Sequence, residues 1–122
     1  MVRAQLDKVS VLKVDIDCVV SRDWLQDWIR LVVVPVCKAR EVTILSVGIS
    51  PSQHKGFHAY IHINPHVHPQ LANRLQFLLG DDRHRVSLNR ARIWAGLNEW
   101  NKLFEEPNVK LTKMHLTLLN HP

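Results

Sequence analysis

Strict alternation of apolar and polar positions marks three stretches of this chain. Within residues 9–18, Leu12, Val14, Ile16 and Cys18 alternate with Lys13, Asp15 and Asp17. That period of two is the signature of a strand with one buried face. Residues 41–49 (Glu-Val-Thr-Ile-Leu-Ser-Val-Gly-Ile) predict a second strand. In residues 57–63, Phe57, Ala59, Ile61 and Ile63 alternate with His58, Tyr60 and His62, which predicts a third. The polar stretch between them, with Pro51 and Gly56, reads as a connection, so strands two and three form an antiparallel hairpin. After the Pro107-Asn108 turn, alternation over residues 109–119 predicts the last strand.

Between these runs the period changes to that of a helix. Ser21 is placed to cap a helix over residues 22–33, with Trp24, Trp28 and Leu31 at i, i+4 and i+7 and with Leu25 and Val32 widening the stripe. Pro35 is expected to end it. Asn64-Pro65 is expected to break the third strand. A second helix follows over residues 69–79, with Leu71, Leu75, Leu78 and Leu79 inward and Gly80 as its stop. Asp81-Asp82 open a further helix or turn carrying Val86, Leu88, Ile93 and Leu97, with Gly96 at its end. Trp94 and Trp100 are expected to be packing residues.

The order βαββα(α)β predicts an α+β fold. It is the ferredoxin-like or RRM-like pattern, an antiparallel sheet with helices on one face. With 122 residues, of which 46% are hydrophobic, the chain is expected to form a single domain over residues 1–122. It has no run of 18 apolar residues, so no transmembrane helix is expected, and its start does not read as a signal peptide. Cys18 and Cys37 form no zinc pattern and require no disulfide, which makes a reducing, cytoplasmic setting the default.

Chemistry enters through Asp15 and Asp17, which alternation places on the same strand face. Side-by-side carboxylates are costly unless something offsets their charge. A divalent cation does so, and oxygen ligands of this kind suit Mg²⁺ or Mn²⁺. For the D-x-D pair alone, a merely wet strand face explains the pattern at least as well. Topology changes that balance. Strands one and three are neighbours in this fold, so His58, Tyr60 and His62 share the open face with Asp15 and Asp17. The net charge of +5 permits a polyanionic partner. Arginines 83, 85, 90 and 92, with His84, suit phosphate groups, or else form a solvated helix face paired with Asp81, Asp82 and Glu99.

Taken in order, these motifs resemble the archaeo-eukaryotic primase superfamily, and more closely the small primase-like proteins of archaeal and phage mobile elements. The motifs are Asp15-x-Asp17, the run Ser52 to His58 with its Lys55-Gly56-Phe57-His58 segment, Leu78 to Asp82 (LLGDD), the arginine-spaced Arg85 to Arg92, and Leu103-Phe104. The resemblance implies a minimal nucleotidyltransferase core in nucleic-acid replication, encoded by a virus or plasmid. By it, Asp15 and Asp17 hold two metal ions, and His58 contacts the incoming triphosphate with Ser52 and Lys55 nearby. Arg90 and Arg92 hold template or triphosphate. Nucleic acid, nucleoside triphosphates and a protein partner in a replication complex are the implied partners. The chain departs from the family at the third acidic ligand, where Asn89 stands; Asp81 or Asp82 is the alternative. That leaves open a degenerate site.

Two other readings compete. Pro65-His66-Val67-His68 resembles the histidine pair of rolling-circle (HUH) replication nucleases, which need a tyrosine nucleophile; here the single tyrosine is Tyr60. Lys55-Gly56-Phe57 resembles the opening of the RNA-recognition motif and suggests a non-catalytic nucleic-acid binder.

Overall fold

The computed structural model describes residues 6–51, 56–103 and 112–113. Along the chain run β1 (Val9–Ile16), α1 (Arg22–Trp28), a π-helical turn (Ile29–Val33), α2 (Val34–Lys38), β2 (Thr43–Pro51), β3 (Phe57–Val67), α3 (Pro69–Leu78), α4 (Arg83–Trp94) and β4 (Thr112–Lys113). The strands form one antiparallel sheet in the order β1-β3-β2-β4. The fold class is therefore α+β, and β1 and β3 are neighbours as alternation and topology required. No helix among the described residues is long and apolar enough to cross a membrane.

A ferredoxin-like order would place the last strand beside β1. The described residues of β4 instead pair with Gly48 and Ile49 of β2. The rest of the predicted strand over residues 109–119 lies outside the described residues. The outer edge of β1 is occupied by side chains. Lys13 N–H donates to Gln76 Oε1 at 2.9 Å, Lys13 C=O accepts from Arg85 Nη2 at 3.3 Å, and Asp15 N–H donates to Asp81 Oδ1 at 2.9 Å. Asn101 locks this set by exchanging hydrogen bonds with Gln76 and accepting from Arg85. Side chains from the helical layer thus satisfy the backbone groups that another strand would otherwise seek.

One sheet face carries the core. Leu12, Val14, Phe57, Ala59, Ile61, Ile63 and Val47 are buried there with Trp28, Ile29, Val33, Leu75 and Leu79 from the helices. Ser21 caps α1 as expected, accepting from Trp24 N–H at 3.1 Å. Pro35 does not end the helix. The π turn, with its Val34 N–H to Ile29 C=O bond, carries the chain through Pro35 to Lys38. Proline lacks the N–H that a regular turn would use, and its ring collides with the carbonyl four residues back. A wider turn relieves that clash. The inserted turn also rotates the buried stripe. Ile29, Val33 and Cys37 face inward, whereas Leu31, expected inward, is 63% exposed.

β3 likewise continues through Pro65 to Val67. The β1–β3 register shifts between Val9 and Val11. Pro65 falls within that irregularity, where its missing donor breaks no regular ladder bond. In the α3–α4 hairpin, Leu75 and Leu79 point inward as expected, but Leu78, Leu88 and Leu97 are exposed. Trp100 is buried, whereas Trp94 is 66% exposed and is not a core residue.

Candidate functional site

Asp15 and Asp17 stand at the C-terminal end of β1, and α4 brings its first turn up to them. Asp15, Asp17, Asp82, Arg83, His84 and Ser87 line one cleft. The sharp connection between α3 and α4 creates this meeting. Gly80, at φ +106°, makes the left-handed turn after α3; its N–H bonds Phe77 C=O, and Asp81 N–H bonds Gln76 C=O. The paired bonds form a Schellman stop, which glycine accommodates without a Cβ penalty. The turn delivers Asp81 to the edge of β1 and Asp82 to the start of α4. Asp82 Oδ1 accepts from His84 N–H at 2.7 Å and from Arg85 N–H at 3.3 Å.

The adjacent aspartates therefore separate in role. Asp81 is 4% exposed, and its Oδ1 accepts from the N–H groups of Asp15 and Asp82. Burial pushes its pKa up to about 6, against the opposing pull of Arg85 and those two backbone donors. It is a structural group of the strand edge and not a spare cation ligand. Asp82 caps a helix and also faces the cleft. Asp15 titrates above its ordinary value, chiefly through burial. His58 and Arg85 oppose the rise, while the nearby charges of Asp82 and Asp17 add to it.

His58 arrives beside Asp15 because the two are register partners across β3 and β1. Its Nε2 lies 3.5 Å from Asp15 Oδ1. The imidazole is buried, however, and its Nδ1 has no hydrogen-bond partner among the described residues. His58 is thus placed to position Asp15, and the face expected to be open is closed at this point. Ser50, opposite His58 on β2, is buried too. Tyr60 is half-buried and His62 exposed on the same face.

Other expected site residues are dispersed. Asn89 is fully buried between α3 and α4, with Nδ2 donating to Asn73 Oδ1 at 3.2 Å. It does not line the cleft, because the helical period turns it toward α3; Asp82 is the carboxylate that joins Asp15 and Asp17. The arginines also divide. Arg85 points inward to β1 and Asn101, Arg83 lines the cleft, and Arg90 faces a groove between α3 and α4. Arg92 lines neither. Ser52 and Lys55 lie outside the described residues. Phe57, the ring expected of a base-stacking motif, is in the core against Trp24 and Trp28. Sequence reasoning overlooked Gln76, whose role depends wholly on a tertiary contact. It also overlooked the capping role of Asp82, which an aspartate directly before a helix does signal.

As a cation site the cleft offers oxygen donors, the right chemistry for Mg²⁺ or Mn²⁺. Among the described residues no three His, Cys, Asp or Glu side chains converge closely enough to hold an ion by themselves. The donor set fits a cation completed by phosphate oxygens and water, the common situation for Mg²⁺, and not a resident, fully protein-held metal. Comparison with protein-family models, curated proteins and solved structures returned no match.

Proposed function

We propose that this chain binds a nucleoside triphosphate at the cleft between β1 and α4, with Mg²⁺ or Mn²⁺ shared between Asp15, Asp17 and the phosphates, as in a minimal primase-like nucleotidyltransferase core. The observation that supports this most is the convergence of Asp15 and Asp17 with Asp82, Arg83 and His84 on one cleft. Carboxylates would hold the cation, and Arg83 and His84 would meet phosphate charge at the mouth. Asp82 would add to the negative field that attracts the cation while its Oδ1 caps α4. His58, behind Asp15, would hold that carboxylate in place. When bound, the cation would neutralise phosphate charge and polarise the phosphoryl group.

Manganese electron paramagnetic resonance tests the reading. Mn²⁺ should bind weakly to the protein alone and at least tenfold more tightly with a non-hydrolysable nucleoside triphosphate. The double substitution Asp15→Ala/Asp17→Ala should remove that enhancement. Equal Mn²⁺ and nucleotide binding in the parent and the double variant would sink the proposal.

The second reading, a nucleic-acid binder without chemistry, draws support from the burial of Asn89 and from the missing third convergent ligand among the described residues. It predicts salt-sensitive single-strand binding that needs no divalent cation. The rolling-circle nuclease reading has less behind it. His66 and His68 are exposed around the end of β3, and Tyr60 sits mid-strand on β3 instead of on a helix.

A further inference from the structure

A second concavity runs between α3 and α4. Arg74 and Phe77 reach it from α3, and Arg83, Ser87, Arg90 and Trp94 from α4. On α4 these residues recur at i, i+4, i+7 and i+11, which keeps them on one helix face. No acidic residue lines the groove. Among the described residues, none of Arg74, Arg83 and Arg90 makes an ion pair. Phe77 and Trp94 are 50% and 66% exposed, an unusual state for rings of this size. Arg83 and Ser87 line both this groove and the carboxylate cleft, so the two are continuous.

We propose that the α3–α4 groove holds a segment of single-stranded DNA. Arg74, Arg83 and Arg90 take its phosphates, and Phe77 and Trp94 stack on its bases. Guanidinium groups match phosphate oxygens with paired hydrogen bonds. Every base has a face that an aromatic ring can cover once it is unpaired, so ring stacking selects single strands over duplex. An acidic peptide would match the arginines and leave the rings without use. Where the groove meets the cleft, Arg83 and Ser87 would pass the strand toward Asp15 and Asp17. That last placement rests on the nucleotide reading above; binding in the groove does not.

Fluorescence anisotropy with a labelled oligothymidylate tests it on the full chain. The parent protein should bind the single strand more tightly than a duplex of equal length, with affinity falling steeply with salt. Phe77→Ala/Trp94→Ala, at exposed positions, should weaken binding at least fivefold, in line with about 1–3 kcal/mol per stacked base. Arg74→Gln/Arg90→Gln should weaken it at least tenfold and flatten the salt slope by about 2. Circular dichroism checks that both variants fold. Mn²⁺-nucleotide binding at the cleft should persist in both, so that failure of the groove and failure of the cleft are separately visible. Oligothymidylate bound no better than duplex, unchanged binding in the ring variant, or tighter binding of polyglutamate than of the oligonucleotide would each overturn the proposal.

Discussion

Asp81 shows how one buried carboxylate can hold a junction together and still oppose the folded state. Its Oδ1 fastens β1 to the start of α4 by accepting from Asp15 N–H and Asp82 N–H. Arg85 Nε lies 3.7 Å away. Desolvation outweighs these partners and raises its pKa from an ordinary 3.8 to about 6. A carboxyl group with a raised folded-state pKa binds its proton more tightly in the native state than in the unfolded one. Its contribution to stability is therefore complete below about pH 4 and is lost as pH rises through about 6. Over that window the loss is on the order of 2–3 kcal/mol. Asp81→Asn keeps the Oδ1 acceptor and cannot ionise. In urea titrations at pH 4, 5, 6 and 7, the difference between variant and parent should grow in the variant's favour as pH rises. A pH-independent difference would mean that Asp81 does not titrate in this range.

At the scale of elements, the end of β1 is fixed by a backbone contact from the β2–β3 connection. Gly56 has φ +85°, and a Cβ on it would lie 1.8 Å from Ile16 O and 2.7 Å from Cys18 N. Neither neighbour is a flexible side chain that could give way. Gly56→Ala should therefore displace the strand that carries Asp15 and Asp17, at a cost above about 3 kcal/mol. Thermal unfolding and native-state hydrogen exchange of β1 amides would register it; a midpoint within a degree of the parent would refute the contact. The π turn works at the same scale. By adding one residue to a turn, it moves Leu31 outward and Ile29, Val33 and Cys37 inward, which a regular 3.6-residue period could not anticipate.

For the whole molecule, the cleft gathers like charges at a place where folding alone has no use for them. Asp15 is half-buried beside Asp17 and Asp82, and both raise its pKa after burial itself. Neutralising the pair should cost no stability. Asp15→Asn/Asp17→Asn should match or exceed the parent by up to about 1 kcal/mol without divalent cation, measured by calorimetry. The same variant should lose the nucleotide-dependent Mn²⁺ affinity. A variant less stable by more than about 1 kcal/mol would instead assign the aspartates to the scaffold.

Strand alternation was local and therefore legible. It placed Asp15 and Asp17 together, put His58 on their face and identified the core positions of β1 and β3, because a period of two needs no knowledge of the neighbours. The caps at Ser21 and Gly80 were legible for the same reason: each acts within a few residues of itself. What lay beyond reach depended on groups far apart in the chain. Side chains 63 and 66 residues away occupy the outer edge of β1. Register buried His58, packing turned Asn89 toward α3, and two neighbouring aspartates received opposite environments. Residue pattern by itself decided which side chains share a face. Only the tertiary structure decided which of those faces meet water, because burial depends on what the rest of the molecule brings against them.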